Sequence, residues 1–366
     1  MSEPARIRDA IILAEPDRDP LRPVARVPYL VRTILSLQRA GIERCVVVGA
    51  GSPPADRRIR CDVVTAPAMP PAVDDRLRIV VDPGTLVDAT LVRDLQSRAR
   101  PGRTLDVAEL GGRVRVVPGA LSANGGTPER PAHGTLRRVD MPGTVGALLQ
   151  ALENPRDGWL DRILHRRLSR PLTRLLLHTP LSPNAVTVLG IALGVAGGFV
   201  LGLPGPSAVA VAILLLVASA VLDCSDGELA RICHAESRLG HWLDISGDTV
   251  VHLAVLWGIV ERIARTGSPP GRGWVVLLLV GVIGAFVVIT RSEATEARRR
   301  RVAAWENTAL DRVLSPLTTR DWHVFPVAFA LAGRLDLLVP AAAVGAQVFW
   351  MLGLLLLVRV LRRAPV

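Results

Sequence analysis

Residues 222–248 read LDCSDGELARICHAESRLGHWLDISGD and place four aspartates, Asp223, Asp226, Asp244 and Asp248, between long runs of alanine, valine and leucine. Ionised side chains at membrane depth are costly unless they are paired, hydrated or bound to a metal. We therefore expect either a water-exposed loop or a binding site at this stretch. The sequence on both sides of it decides between the two.

The flanking apolar runs have the length of membrane-spanning helices. From about Pro183 onward, charged and proline-containing sequence gives way to long runs with almost no charge. A helix needs about 20 apolar residues to cross the hydrocarbon core, and shorter runs reach across with tilt or flanking residues. We expect an α-helical integral membrane domain of six transmembrane helices at residues 183–363. The six runs are 183–203, 208–222, 241–260, 273–290, 324–338 and 341–360.

The distribution of arginine predicts how these helices are oriented. The formal net charge is +11, and the cytoplasmic flanks of membrane helices are rich in cationic residues. Arginines precede the first run, lie between the fourth and fifth, and follow the last, which places the N-terminal domain and the C-terminus in the cytoplasm. Three arginines after the third run count against this orientation without reversing it. The groups are Arg162, Arg166, Arg167, Arg170 and Arg174; Arg298 to Arg301; Arg359, Arg362 and Arg363; and, after the third run, Arg262, Arg265 and Arg272.

Other features narrow the class of protein. Aromatic residues make up only 4% of the chain and no nucleic-acid-binding motif is present, so we expect no nucleic-acid partner. Met1 opens onto a polar, charged segment, which is not typical of a signal peptide. The four cysteines lack C-x-x-C spacing and are expected to be free thiols in a cytoplasm-facing protein. They are Cys45, Cys61, Cys224 and Cys233.

Residues 1–150 have the pattern of a soluble α/β domain. Short apolar runs typical of buried strands alternate with helical periodicity, and Gly41 ends the first helical segment. This order predicts a Rossmann-type domain with a parallel sheet and flanking helices. The strand-like runs are AIILA (10–14), CVVVGAG (45–51), RLRIVVDP (76–83), TLDVAEL (104–110) and GRVRVVPGAL (112–121), and TLVDATLVRDLQSRA (85–99) has helical periodicity.

The start of this domain has a frame of AIILA (10–14), Pro20, Pro23, Pro28 and AGIERCVVVG (40–49). This frame resembles the nucleotidyltransferase family that makes activated sugars and polyols. However, the segment EPDRDPLRP (15–23) lacks the glycines that let backbone amides approach a triphosphate. No lysine follows, although Arg22 or Arg26 could supply part of the charge, and Asp82 is a candidate metal ligand. We expect a non-catalytic docking or regulatory domain, with an active cytidylyltransferase as the alternative.

A linker at residues 151–182 joins the two halves. In RDGWLDRILHRRLSRPLTRLLLHTPLS (156–182), leucines recur at helical spacing with arginines between them. We expect an amphipathic helix that lies in the membrane interface with its arginines near lipid phosphates, because a membrane span follows directly. The alternative is an ordinary amphipathic helix packed on protein.

Helical periodicity brings the four aspartates together. At about 100° per residue, those before the gap fall on roughly one face of a helix, and those after it share a face of the next. Two helices can thus direct four carboxylates into one space, and this surplus charge suits a hard divalent cation that shares its shell with substrate phosphates. A cytoplasmic loop with solvated aspartates is the alternative. The first face carries Asp223, Asp226, Gly227, Ala230 and Arg231, and the second carries Gly240, Asp244 and Asp248.

The full spacing is D-x-x-D-G-x-x-A-R, eight residues, then G-x-x-x-D-x-x-x-D, and SPNAVT (182–187) opens the first apolar run. With these features the sequence over residues 160–363 resembles the CDP-alcohol phosphotransferases, integral membrane enzymes of phospholipid synthesis. The resemblance implies metal-dependent transfer of a substituted phosphate from a CDP-alcohol, either CDP-diacylglycerol or a CDP-polyol, to an acceptor hydroxyl with release of CMP. It also implies a homodimer.

The same resemblance implies roles for individual residues. Asp223, Asp226 and Asp244 would hold a two-metal centre of Mg²⁺ or Mn²⁺, and Asp248 would complete it and act as the catalytic base. The cytidine diphosphate would be bound by Asp223, Gly227, Ala230, Arg231 and Gly240. Arg291 and Arg320 are candidates to bind an acceptor phosphate, and a positive-inside flank is the alternative for each. Arg298 to Arg301 are expected to be such a flank.

Three other functions stay open. Some proteins that join these two halves make inositol phosphodiesters, so a bifunctional inositol-phosphate cytidylyltransferase and phosphodiester synthase is the alternative if the soluble half is active. A transporter that uses the aspartates as cation ligands would typically show two related halves, and no internal repeat is visible. The third is an inactive scaffold whose soluble half binds a partner.

Overall fold

The computed structural model describes residues 7–14, 19, 21–70, 76–118, 128–134, 136–152, 165–266, 271–299, 329 and 335–362. The chain divides into two compact units. The first consists of Met1–Glu153 together with the short segment Arg231–Ala235, and the second consists of Asn154–Ala230 and Glu236–Val366.

The first unit is an α/β domain. In chain order its described part contains β1 (Asp9–Leu13), β2 (Pro23–Val24), β3 (Val27–Pro28), α1 (Tyr29–Arg39), β4 (Arg44–Val48), β5 (Asp62–Ala66), β6 (Leu77–Val81), β7 (Thr85–Val87), α2 (Ala89–Arg98), β8 (Leu105–Glu109), β9 (Gly112–Pro118), β10 (Leu136–Arg138) and α3 (Thr144–Gln150). Six strands form one sheet in the order β5-β4-β1-β6-β9-β8, while β7 pairs with β10 and β2 with β3.

The sheet is parallel on one side and antiparallel on the other. Strands β5, β4, β1 and β6 run parallel, as predicted from the apolar runs of β1, β4 and β6, whereas β5 was not predicted from the sequence. Strand β9 is antiparallel to both β6 and β8, so the expectation of a parallel sheet is wrong at this edge. The connection between β8 and β9 is Leu110-Gly111, and both residues have positive φ angles, 48° and 75°. Such a two-residue turn joins antiparallel strands, whereas a parallel pair needs a crossover of about a dozen residues.

The segment predicted as one helix over residues 85–99 is divided. Thr85–Val87 forms β7, and α2 begins only at Ala89. The division occurs at Asp88, whose extended backbone and side-chain carboxylate, accepting from the amide of Leu91 at 2.7 Å, make it the N-cap of α2.

A single apolar cluster joins the sheet to α1 and α2. Its members alternate along the strands and recur at helical spacing on the helices, and none of those named next is more than 2% exposed. They include Ile12, Ile34, Val47, Ile79 and Leu91. Because each strand and helix buries one face in this core, its apolar residues recur with a regular period, and this period predicted the order of strands and helices.

The second unit is helical. Its described helices are α4 (Arg166–Leu176), α5 (Pro183–Leu201), α6 (Pro206–Ile232), α7 (Arg238–Thr266), α8 (Arg272–Arg299) and α9 (Leu335–Arg362), and the last two residues of α6 are grouped with the first unit. Ser182 is the N-cap of α5 and accepts from the amide of Ala185 at 3.2 Å, with Pro183 in the first turn. The SPNAVT stretch is therefore a helix start, since proline is well suited to that first position.

Four helices in the described residues are long and apolar enough to cross a membrane, namely Pro183–Leu201, Pro206–Ile232, Arg238–Arg265 and Leu337–Leu355, and Arg272–Val288 is a shorter apolar helix. The predicted fifth run, 324–338, lies mostly outside the described residues. The predicted break between this run and the last is wrong, because α9 continues from Leu335 through Pro340 to Arg362. A membrane helix accommodates proline where neighbouring groups satisfy the freed carbonyl.

Glycines allow α5 and α7 to pack closely. A Cβ atom added to Gly198 would lie 2.5 Å from the carbonyl carbon of Ala254, and one added to Gly258 would lie 2.1 Å from the carbonyl oxygen of Gly198. No side chain fits at such distances, so these backbones are in direct contact, as is common between membrane helices. This packing holds the helix that carries Asp244 and Asp248 against α5.

Candidate active site

Three of the four aspartates line one small cavity between α5, α6 and α7. Asp223 comes from α6, and Asp244 and Asp248 come from α7. The cavity has a volume of about 30 Å³, which is room for one or two waters or ions. The complete lining is Thr187, Gly190, Ile191, Leu216, Ser219, Ala220, Asp223, Asp244, Gly247, Asp248, Val251 and His252.

Asp226 is not part of this lining. It is buried, with 6% of its surface exposed, on the same helix as Asp223. Three residues advance a helix by about 300°, so Asp226 lies about 60° around α6 from Asp223. Asp223, Asp244 and Asp248 share this cavity and Asp226 is absent from its lining, and the predicted roles of all four stay predictions.

The donor chemistry of the cavity suits a hard divalent cation, because carboxylate oxygens are ligands that Mg²⁺ and Mn²⁺ accept readily. Within the described ranges, no three His, Cys, Asp or Glu side chains are close enough together to hold one ion. The structure therefore has three carboxylates around one cavity, and the two-metal centre stays a prediction.

Small residues and one hydroxyl shape the wall of the cavity. The Ser219 hydroxyl donates to the carbonyl oxygen of Gly190 at 2.7 Å and so joins α6 to α5. A Cβ atom on Gly247 would lie 2.3 Å from Cδ1 of Ile191, so a larger residue there would require the Ile191 side chain to move. Asp244 and Asp248, on either side of Gly247 along α7, are thereby brought beside α5.

His252 was not identified from the sequence, although it lines the same cavity. Its Nδ1 is hydrogen-bonded to the carbonyl oxygen of Asp248, one turn earlier. The signal that could have found it is periodicity, because Gly240, Asp244, Asp248 and His252 recur at intervals of four residues. The predicted face of α7 therefore extends one turn beyond Asp248, the last residue of the spacing G-x-x-x-D-x-x-x-D.

The predicted nucleotide-binding residues lie at the end of α6 and the start of α7. Gly227 and Ala230 are half-buried in the last turns of α6, and Arg231 is exposed. A Cβ atom on Gly240 would lie 2.8 Å from the side-chain oxygen of Asn184, so glycine keeps this place open. The Ser237 hydroxyl accepts from the amide of Gly240 at 2.9 Å and caps α7. Their role in binding cytidine diphosphate stays a prediction.

Residues 222–248 also contain the acidic residue Glu228, which was not predicted as a site residue. Its side chain is completely buried, and it accepts hydrogen bonds from three residues of α4. The donors are the guanidinium of Arg166 at 3.1 Å, the hydroxyl of Ser169 at 3.0 Å and the hydroxyl of Thr173 at 2.7 Å. The position after Gly227, which the spacing D-x-x-D-G-x-x-A-R leaves unspecified, thus carries a fully paired carboxylate.

Helix α4 has its polar side turned inward. Arg166, Ser169 and Thr173 are buried, whereas Leu168 and Leu175 are 45% and 63% exposed. Arg167 and Arg174 are exposed beside these leucines, so the outer face of α4 is amphipathic, as expected for a helix in the membrane interface. The expectation that arginines of the linker lie near lipid phosphates is wrong for Arg166, because this guanidinium is paired with Glu228.

Within the first unit, the segment Arg231–Ala235 is held by arginines of the α/β domain. Arg32 donates to the carbonyl oxygen of Ile232 at 2.6 Å, and Arg58 donates to that of Cys233 at 2.6 Å. Burial and the neighbouring arginines lower the pKa of His234 to about 3, so its imidazole is neutral at physiological pH. Burial also lowers the pKa of Arg32 to about 10.

The other residues predicted from the sequence as functional do not line the cavity of Asp223, Asp244 and Asp248 within the part of the chain that the structure describes. Asp82 of the first unit forms an ion pair with Arg115 at 2.6 Å. Arg291 lies on α8 and is exposed, while Arg320 falls outside the described residues. Arg298 and Arg299 end α8, and Arg300 and Arg301 also fall outside the described residues. All four cysteines are free thiols, as predicted.

The helical half is similar to known proteins. Residues 180–357 match the family model described as CDP-alcohol phosphatidyltransferase. The chain is 36% identical over 157 residues to CDP-diacylglycerol–serine O-phosphatidyltransferase of Mycobacterium leprae (strain TN), a match that covers 43% of this chain and 45% of that protein. It is 29% identical over 175 residues to the bifunctional IPC transferase and DIPP synthase of Thermococcus kodakarensis, which covers 48% of this chain and 38% of that protein.

These relatives are matched over less than half of their own length. Among solved structures, the chain is similar to Mycobacterium tuberculosis phosphatidylinositol phosphate synthase (PgsA1) in complex with manganese and citrate, with a TM-score of 0.36 and 22% sequence identity. This match covers 52% of this chain and 88% of that one.

Proposed function

We propose that the CDP-alcohol phosphatidyltransferase domain at residues 180–357 moves a substituted phosphate group from a CDP-alcohol to an acceptor hydroxyl and releases CMP. The observation that carries the proposal is the common cavity lined by Asp223, Asp244 and Asp248. These aspartates come from two different helices, and carboxylates gathered at membrane depth in this way are typical of a functional site.

Asp248 is the proposed base. It accepts the proton of the acceptor hydroxyl as the oxygen forms a bond to the β-phosphorus of the donor. The bond from that phosphorus to the bridging oxygen breaks, and the electron pair leaves with CMP. The hydrogen bond from His252 to the backbone of Asp248 restrains the cavity wall beside this base.

Asp223, Asp226 and Asp244, completed by Asp248, are the proposed ligands of a two-metal centre of Mg²⁺ or Mn²⁺. When bound, divalent cations supply neutralisation of the pyrophosphate and stabilise the charge that develops on the leaving phosphate. Asp226 is buried on α6 and does not line the cavity. It is therefore the one proposed metal ligand of the four that the cavity itself does not support.

The donor nucleotide is assigned to the end of α6 and the start of α7, where Asp223, Gly227, Ala230, Arg231 and Gly240 lie. Gly240 lies beside the side chains of Asn184 and Ser237, which are polar groups near the proposed nucleotide position. Arg291 and Arg320 are the candidates to bind a phosphorylated acceptor. Arginine binds phosphate with two parallel hydrogen bonds, which gives orientation as well as affinity.

For the first unit we propose a non-catalytic role within a nucleotidyltransferase-like frame. The ion pair between Asp82 and Arg115 supports it, because a carboxylate engaged by a guanidinium is a poor metal ligand. The full architecture that we propose has six transmembrane helices, the N-terminal domain and the C-terminus in the cytoplasm, and two copies in a homodimer.

The decisive experiment measures CMP release by the purified full-length protein. CDP-diacylglycerol and CDP-inositol would be tested as donors with serine, inositol phosphate and glycerol phosphate as acceptors, in Mg²⁺ or Mn²⁺ and in excess chelator. We expect release with at least one pair, its loss in chelator and its return with metal. Equal release by wild type and Asp248→Asn, or no release with any pair, would refute the transferase and leave the cation transporter or the scaffold.

A separate assay addresses the first unit. We expect no pyrophosphate release from CTP with inositol phosphate or glycerol phosphate. Clear turnover would contradict the non-catalytic role and support the bifunctional cytidylyltransferase and phosphodiester synthase.

A further inference from the structure

Glu228 is the most completely buried acidic residue of residues 222–248. It does not line the cavity that Asp223, Asp244 and Asp248 share, which is called the aspartate cavity below. Both of its carboxylate oxygens are used: Oε1 accepts from Arg166 and Ser169, and Oε2 accepts from Thr173. A carboxylate without water is tolerated only when it is paired and hydrogen-bonded in this manner.

The three donors form one face of α4. Arg166, Ser169 and Thr173 are separated by three and four residues, the spacing at which side chains of a helix lie above one another. Ser225, which is also fully buried, lies one turn before Glu228; its hydroxyl donates to the carbonyl oxygen of Val221 at 2.8 Å and lies 3.5 Å from the carbonyl oxygen of Ser169. The contact between α4 and α6 is therefore polar over more than one turn.

This contact lies on the side of α6 away from the aspartate cavity. Glu228 follows Asp223 by five residues, which places it about 140° around the helix. Because three directional hydrogen bonds hold this side, α6 can neither rotate nor slide without breaking them. The direction in which Asp223 points is thus coupled to the pairing of Glu228.

We propose that Glu228 is a positioning residue that, with its three donors on α4, sets the rotation of α6 and so presents Asp223 and Gly227 to the metal and the donor. The proposal rests on the proposed function for its kinetic consequences. It assigns no contact with substrate to Glu228. An apolar pair could replace an ion pair of this kind without loss of stability, so packing alone does not require the carboxylate.

The test compares the pair variant Arg166→Met/Glu228→Met with wild type. Its thermal unfolding in detergent is expected to stay near that of wild type, while the donor KM rises about tenfold and the Mn²⁺ dissociation constant, measured by titration with the metal alone, rises similarly. Arg174→Met is the matched control, because Arg174 lies on the exposed side of the same helix, and wild-type values are expected.

A pair variant with wild-type unfolding, donor KM and Mn²⁺ affinity would overturn the proposal. If that variant does not fold, Thr173→Val, which removes a single hydroxyl, takes its place: a severalfold rise in donor KM at an unchanged unfolding temperature supports positioning, and a wild-type KM refutes it. If wild type releases no CMP, the proposed function fails, and the Mn²⁺ titration of the same variants decides on positioning. Absence of Mn²⁺ binding in wild type would refute both.

Discussion

Nδ1 of His252 is hydrogen-bonded to the carbonyl oxygen of Asp248, and both side chains line the same cavity. The bond ties the imidazole ring to the turn of α7 that carries the proposed base. Three helices of the second unit thus supply a cavity in which the face of α7 that carries Asp244 and Asp248 also carries His252.

Asp248→Asn is expected to lower the rate of CMP release by about 10²- to 10⁴-fold, the contribution typical of a general base. Asparagine preserves the size of the side chain and removes its capacity to accept a proton, so the unfolding temperature should change little. Ser246→Ala, an exposed position on the same helix, serves as the control. A rate for Asp248→Asn within twofold of wild type would exclude Asp248 as the base.

His252→Leu is expected to reduce CMP release by about tenfold, because an apolar side chain replaces a polar wall of a cavity that must hold charged groups. Steady-state kinetics should show the loss mainly in kcat, since the change lies beside Asp248 and not beside the predicted nucleotide-binding residues. The matched control is His178→Leu, which alters an exposed histidine of the same unit. Full activity of His252→Leu would show that the histidine is only a packing residue.

Gly258→Ala is expected to destabilise the helical unit by about 1–3 kcal/mol, the usual cost of inserting a methyl group into a packed contact. The new Cβ would lie 2.1 Å from the carbonyl oxygen of Gly198, and backbone cannot move aside as a flexible side chain can. Unfolding in detergent would measure the change. Gly345→Ala on α9, where an added Cβ meets nothing within 4 Å, should be neutral or stabilising. Equal behaviour of the two variants would contradict direct contact between α5 and α7.

The stability of the first unit should fall as the pH drops from about 6.5 toward 3. The pKa of His234 is about 3 in the folded protein, against 6.5 as the ordinary value, so the unfolded chain binds more protons across this interval. The free energy of unfolding then decreases by up to about 1.4 kcal/mol for each pH unit. His234→Asn should flatten this dependence, and asparagine tolerates the φ of 50° at this position. Parallel pH profiles for the two proteins would rule out His234 as the cause.

Much of the candidate site follows from local periodicity. The apolar runs predict helices, and the spacing of Asp244 and Asp248 by four residues places them on one face whatever surrounds them. Asp226 shows the limit of this reasoning. Its phase on α6 differs from that of Asp223 by about 60°, and whether such a side chain reaches a shared cavity depends on where the neighbouring helices lie.

The α/β unit also has features that the sequence predicts and features that it does not. Alternating apolar strands and helices predicted the α/β order, because burial of one face imposes a period on each element. The sequence did not reveal the direction of β9, which depends on the Leu110-Gly111 turn, or the change from strand to helix at Asp88. Both are backbone events at one or two residues, where periodicity carries no signal.

By itself, the sequence determined that four aspartates stand at the junction of two apolar helices, because hydrophobic length and helical phase are properties of the chain alone. Only the tertiary structure decided that three of them share a cavity and that His252 lines it as well. It also decided that Glu228, on the other side of α6, is hydrogen-bonded to α4. These depend on the distances between helices, which are set by glycine contacts and buried hydrogen bonds among residues far apart in the chain.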